Sequence, residues 1–389
     1  MSLSHRLSVS ELTSQSPPGR STQSPAQSHK KRQHFVVLDG LRGIAALSVA
    51  VFHGGTIFGG RQLLPRAYLA VDFFFLLSGV VVAYAYEARL LLGNRFEYLQ
   101  TRVIRLYPMI IVGAVLGISV IATSTGARGL PAWIIGIMFF LAALCLPLLK
   151  ADVFPGTSHI APANGPSWSL FFEIFINVVY GFTAKHLTTK LLVTIVFVSL
   201  VAESIGIFHY QKAEFGFHVP EFWWGFARVA FPFFSGVLIR RVTAGGGIRT
   251  PQVAPALLAI LLLITFAIPT HGLATAVVDL ADIAIVYPGV IILAMEERSS
   301  SSQSRILTWL GLLSYPLYII HFPIFMWLGR AQRFVALRME VSAYLWIAFA
   351  IVFATVVALV TYHFYDVPVR AALTRMRKQK SHPVSARPI

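Results

Sequence analysis

Charge is what this sequence is short of. Only 12% of its 389 residues are Asp, Glu, Lys or Arg, where a soluble chain of this size carries about 25%. Too few charges are present to coat a surface facing water. Acidic residues are scarcer still, with 16 Asp and Glu against 32 Lys and Arg, for a net charge of +16. Cysteine is almost absent. Cys145 stands alone inside an apolar run, so no intramolecular disulfide is possible and the residue reads as a small buried hydrophobe.

A basic balance raises nucleic acid as a partner. Here the cations cluster instead in short stretches between apolar runs: Lys30–Arg32, Arg89 to Arg105, Arg240–Arg241 and Arg370 to Lys380. Cytoplasmic loops over anionic lipid headgroups look like this. No basic patch interleaved with aromatics accompanies them, so the partner this pattern points to is the lipid bilayer and not nucleic acid.

What is abundant is apolar length. Hydrophobic residues make up 56% of the chain, and the mean hydropathy is +0.70. Eleven apolar stretches follow one another near 34–53, 67–86, 106–124, 131–149, 168–184, 190–207, 222–239, 254–269, 272–294, 306–329 and 343–363. Runs of roughly 17–25 residues span a bilayer as helix, so the expected fold is an all-α polytopic bundle of about 10 (10–11) transmembrane helices. No internal repeat is visible. Residues 1–33, rich in Ser, Gln and Pro, are expected to be a disordered cytoplasmic tail. Residues 34–373 form the transmembrane domain and 374–389 a basic cytoplasmic tail.

Lys30–Arg32 place the amino terminus in the cytoplasm, and Arg240–Arg241 and Arg370–Lys380 make the same demand. Eleven crossings would put the carboxy terminus outside. Ten satisfy every cluster if one stretch does not cross, and 131–149, with Pro131 and Pro147, is the candidate. Both termini are then cytoplasmic.

The first stretch carries Asp39, Arg42 and His53. Ionisable groups inside a membrane helix are expensive and face the bundle interior. A helix turns about 100° per residue, so Arg42 and His53, eleven apart, share one face, with Asp39 on the same stripe. Asp39 and Arg42 are spaced to pair at i, i+3. His53 falls about 16 Å further along the axis. Histidine there is suited to general base work because its pKa lies near neutrality.

The string Leu38-Asp39-Gly40-Leu41-Arg42-Gly43-Ile44-Ala45-Ala46-Leu47, with His53 after it, resembles the opening signature of the membrane acyltransferase 3 family. Four more segments match that family in order: Val71-Asp72-Phe73-Phe74-Phe75-Leu76-Leu77-Ser78-Gly79, Arg102-Val103-Ile104-Arg105-Leu106-Tyr107-Pro108, Trp168-Ser169-Leu170-Phe171-Phe172-Glu173, and Ser314-Tyr315-Pro316-Leu317-Tyr318-Ile319-Ile320-His321. One departs from it. The family closes with Arg-Phe-x-Glu-x-Pro, where this chain has His363-Phe364-Tyr365-Asp366-Val367-Pro368, a shorter carboxylate. No extracytoplasmic esterase-like domain accompanies the match, as in stand-alone members.

The resemblance implies an O-acyltransferase in a bacterial cytoplasmic membrane. It moves an acyl group, commonly acetyl from acetyl-CoA, to a hydroxyl of a glycan or other acceptor. Acyl-CoA enters as co-substrate, with no bound cofactor and no metal. Arg102, Arg105 and Tyr107 in the inner loop then bind the donor, since guanidinium suits phosphate. His53 acts as general base or acyl relay, with Asp39 and Arg42 positioning the donor. Glu173 orients His53, binds the acceptor, or pairs with another buried charge. Asp72, Ser78, Trp168, Ser169, Tyr318 and His321 serve the acceptor or brace the core. Asp279 and Asp282, outside the family motifs, belong to an ion-pair network or acceptor site. In the competing reading, a secondary transporter, they are the coupling site.

Overall fold

The computed structural model describes residues 35–124, 130–150, 157–245, 251–295, 301–336 and 342–381. The tail expected at 1–33, with Lys30–Arg32, lies outside them, as does 382–389. Eleven helices follow in order: α1 (Val36–Phe58), α2 (Ala70–Leu91), α3 (Arg95–Ala122), α4 (Ala132–Ala143), α5 (Ser167–Thr183), α6 (Thr189–Tyr210), α7 (Trp224–Ala244), α8 (Pro255–Ala267), α9 (Leu273–Met295), α10 (Ser301–Ala336) and α11 (Ala343–Ser381). No strand is present among the described residues, and the only β-type pairing is the bridge between His159 and His218. The fold is all-α and polytopic.

Eight of these helices are long and apolar enough to cross a membrane: α1, α2, α3, α5, α6, α9, α10 and α11. Helix α7 has 21 residues, about 31 Å, but carries Arg228, Arg240 and Arg241. Helix α4 is a 12-residue piece of about 18 Å, too short for a hydrocarbon layer of about 30 Å. That is the segment expected not to cross. Helix α8, with 13 residues, is also short. Its last turn nevertheless reaches the end of the bundle opposite α7's exit, where Phe266 O accepts from Arg66 N.

One end of the bundle is basic. Arg241 pairs with Glu87 and donates to Leu187 O, and Arg377 donates to Thr101. Arg89, Arg95 and Arg370 belong to the same end. The chain stays helical here through Ser381, so the start of the basic tail is ordered. At the far end Gln332 donates to Phe58 O and Ala213 N donates to Asp279.

Two close helix pairs position the site. In α1 a Cβ on Gly43 would meet the Leu310 carbonyl oxygen of α10 at 2.3 Å. Between α2 and α7, a Cβ on Gly79 would meet Phe233 O at 2.0 Å, and one on Gly236 would meet Leu76 O at 2.2 Å. Small residues let membrane helices touch backbone to backbone, which gains dispersion contact where lipid offers no hydrophobic drive. With α1 seated so closely on α10, polar side chains of the two helices meet directly.

Candidate active site

The α1–α10 contact sets the first part of the site. Arg42 Nε donates to Ser314 Oγ at 2.8 Å, and Nη2 donates to Gly311 O at 3.1 Å while pairing with Asp39 at 3.0 Å. Both carboxylate and guanidinium remain about a quarter exposed (25% and 22%). Arg42 lines a cavity of about 750 Å³, counted to its mouth, whose polar lining also includes Ser78, Arg102, Arg105, Ser169, Glu173, Ser314 and Tyr318.

Arg102 and Arg105 lie within the second and third turns of α3, not in a loop. Their i, i+3 spacing aims both into the cavity. Arg102 Nη2 donates to Glu173 at 2.7 Å, and Ser78 Oγ donates to the same oxygen at 3.1 Å. Glu173 is therefore the carboxylate of a buried ion pair and is not the group that orients His53. Arg105 makes no hydrogen bond or ion pair among the described residues. Arg102 and Arg42 line the same cavity, and guanidinium geometry suits anions. Tyr107 is not brought to it: its hydroxyl donates to Leu144 O on another face of α3, at 3.2 Å.

His53 lies beyond the cavity. Its Nδ1 is 2.9 Å from His321 Nε2, and His321 Nδ1 is 2.9 Å from Leu317 O. The carbonyl can only accept, so His321 Nδ1 carries the hydrogen. In the uncharged pair His321 Nε2 must then accept, and His53 Nδ1 must donate. His53 Nε2 is left with a bare lone pair. The geometry is like that of a serine-protease histidine held by its carboxylate, with a second imidazole and a helix carbonyl as the orienting groups. Phe52 and Phe322 stand edge-on to the His53 ring at 5.5 and 5.2 Å.

Between the cationic cavity and this pair stands Tyr318. Its hydroxyl bonds Ser169 Oγ at 2.7 Å and donates to Pro166 O at 3.3 Å. Its ring meets Phe74 edge-on at 5.5 Å, and His321 is 6.1 Å away on the other side. Tyr318, Ser169 and Phe74 line the cavity, and His53 does not.

The remaining sequence candidates hold the bundle. Asp72 forms a fork-to-fork pair with Arg228, both bonds 2.9 Å, and both side chains are buried. Trp168 lies over the same guanidinium at 5.2 Å. Such a pair fixes helix geometry more than it adds net stability. Asp279 and Asp282 both pair with Arg66, at 2.7 and 2.6 Å, with Tyr68 donating to Asp279. They clamp the loop after α1 at the far end of the bundle; neither carboxylate is left over for a coupling ion. Asp366, fully buried, pairs with Arg370.

Several of these partners escaped the sequence reading. Arg228 was signalled by a cation inside the apolar stretch 222–239; Arg66 and Asn164, in loops, carried no such sign. A clasp covers the far end: Ile160 N donates to Phe217 O, Val219 N to Ser158 O, and Ser158 Oγ bonds His218 Nδ1. His159 lies in it, its Nδ1 accepting from Ala161 N. Burial, with His218 adding like charge, pushes the His159 imidazole down to about 4.

Three guanidiniums thus line one cleft of the membrane bundle, with an oriented imidazole beyond an aromatic side chain. Residues 35–363 match the family model described as an acyltransferase domain, the third of that series, and the chain belongs to this acyltransferase 3 family. It is also 33% identical over 179 residues to "Protein 2 in picA locus" of Rhizobium radiobacter, covering 43% of this chain and 92% of that one. No solved structure matches. The protein is an integral membrane O-acyltransferase, a transferase of groups other than aminoacyl.

Proposed function

We propose that this enzyme takes a short acyl group, acetyl in the first instance, from cytoplasmic acyl-CoA and delivers it to a hydroxyl of a glycan or related acceptor on the outer side of a bacterial cytoplasmic membrane. The observation that carries the reading is the unpaired Arg105 beside Arg102 and Arg42 in one cavity at the basic half of the bundle. Positive charge marks the cytoplasmic side, so both chain ends are inside and the cavity faces the compartment that holds acyl-CoA. The CoA phosphates lie on Arg105 and Arg102, and the thioester points along α1 toward His53.

In the transfer step His53 Nε2 takes the proton of the acceptor hydroxyl as its oxygen attacks the thioester carbonyl. The C–S bond breaks as the tetrahedral intermediate collapses. The imidazolium returns its proton to the departing thiolate, leaving ester and free CoA thiol. His321 holds the His53 ring throughout. Tyr318 must swing aside, or let a small acyl group past, for the thioester to arrive.

Radiolabelled acetyl-CoA given to the purified protein in proteoliposomes tests the donor, and mass spectrometry of cell-envelope glycans with and without the protein finds the acceptor by a missing acyl mass. Consumption lost in a folded His53→Gln variant is expected. Failure of the wild type to consume any acyl-CoA overturns the reading. A periplasm-dependent reporter fused at Ile389 should stay silent; activity there would refute the orientation.

A further inference from the structure

A second cavity, of about 480 Å³, lies on the other side of the first turn of α5. Ser169 and Leu170 face the arginine cavity, whereas Ser167 and Trp168 face this one, so that single turn is the wall between them. Its outer wall is α4 and the turn after it, with Met138, Ala142 and Leu148 contributing. The floor includes Asn164.

Its chemistry is one-sided. Most lining groups are apolar; the polar side chains are Ser167 and Asn164, the latter only 3% exposed. Asn164 Nδ2 donates to Ile319 O at 2.8 Å, which fixes which end of the amide is nitrogen. Its Oδ1 is buried and has no partner. An acceptor buried without a donor carries a desolvation cost that a ligand hydroxyl would relieve. Next to it, Gly165 packs on Phe322, whose ring stands 5.2 Å from that of His53. The orphan acceptor therefore sits at the catalytic end of an apolar chamber.

The helix that walls the chamber turns its other side to lipid. Trp133 is 66% and Phe140 61% exposed, and Leu146 both lines the cavity and is 44% exposed. The chamber thus meets the apolar surface at Leu146. A sugar would find two polar side chains where it needs several, while an alkyl chain entering from the bilayer would find walls of its own kind. We infer that this cavity holds the alkyl chain of an amphipathic, hydroxyl-bearing acceptor drawn from the membrane, with its polar end bonded to Asn164 Oδ1 and its reacting hydroxyl presented to His53. The inference rests on the acyl-transfer reading for the last clause only; the chain site stands or falls by binding.

The test is photolabelling of the purified full-length protein in liposomes with a C12 alcohol bearing a diazirine in its chain, followed by peptide mapping. Label concentrated in 138–148 and 160–171, displaced by unlabelled dodecanol and not by glucose, is expected. Ala142→Phe, which fills the cavity, should cut that label at least five-fold, and Met138→Ala, which widens it, should raise it. Asn164→Leu should abolish the preference for dodecanol over dodecane as competitor. Label spread evenly over the lipid-facing helices, or unmoved by Ala142→Phe and Met138→Ala, overturns the site. Acetyl-CoA consumption by the same preparations separates this failure from failure of the acyl-transfer reading, since a protein that takes up the label but consumes no acyl-CoA loses only the latter.

Discussion

His53 Nδ1 and His321 Nε2 are joined at 2.9 Å, and the Leu317 carbonyl beyond them fixes the direction of that bond. His321 does not line the arginine cavity and bonds His53 directly, so its contribution runs through His53. Replacing it with Ala should lower kcat by about 10²- to 10⁴-fold, as loss of an orienting group does in serine proteases, with little change in KM for the acyl donor. His321→Gln, whose amide oxygen can accept from His53 Nδ1, should restore part of the loss. Wild-type kcat in a folded His321→Ala variant, measured by steady-state acyl-CoA consumption, would sink the relay.

Arg105 and Arg102 should separate under mutation although they line the same cavity. Among the described residues Arg105 makes no hydrogen bond or ion pair that its loss would strand. Arg105→Ala is therefore expected to raise KM for acyl-CoA at least ten-fold while leaving the folded fraction unchanged, with Arg105→Lys intermediate. Arg102→Ala strands Glu173, whose side chain is 20% exposed. Breaking a buried pair from one side costs about 3–5 kcal/mol, and the partial exposure puts this one toward the lower end. Arg102→Met with Glu173→Gln should recover stability without recovering donor affinity. Thermal unfolding and initial-rate kinetics on the same detergent-solubilised samples distinguish the two.

The fold class was legible because bilayer thickness and backbone satisfaction leave an apolar chain few options. The stripe of Asp39, Arg42 and His53 was legible for the same reason: helical period alone aligns them. Partners across the bundle were not. His53 meets His321 across a sequence separation of 268, and Arg42 meets Ser314 across one of 272. Periodicity within one helix says which face is functional, but not which helix packs there; Gly43 against Leu310 decides that, through a contact only the assembled bundle contains. Glu173 illustrates the limit. Its depth placed it within plausible reach of His53, while the helix rotation that turns it to Arg102 instead is set by tertiary packing. Helix α8 is another case, since its apolar run outlasts its helix.

His159 makes the far-end clasp sensitive to acid. Its ordinary pKa is about 6.5, and burial beside His218 lowers it to about 4 in the folded protein. Between these values the unfolded chain binds the proton and the folded chain does not. Stability is thus full above pH 6.5, falls as pH drops toward 4, and levels off below that. Hydrogen exchange in 157–161 and 216–220, corrected for intrinsic rates, should accelerate from pH 7.5 to pH 5. His159→Asn, which keeps an acceptor for Ala161 N, should flatten the dependence. A pH-independent exchange pattern in the wild type would rule the clasp out as an acid-labile element.

Asp72 stands in the family's second motif, yet its carboxylate is wholly engaged by Arg228, with Trp168 over the guanidinium. Its work is to lock α2 against α7, where Gly79 and Gly236 already bring the backbones together. Asp72→Ala should therefore destabilise by about 3–5 kcal/mol, because it leaves Arg228 charged and buried. Asp72→Leu with Arg228→Met removes both charges and should cost much less. The decisive measurement is activity per folded molecule in that double variant. Near-wild-type turnover makes the pair a brace, whereas a stable double variant with no acyl transfer would place Asp72 or Arg228 in the chemistry itself.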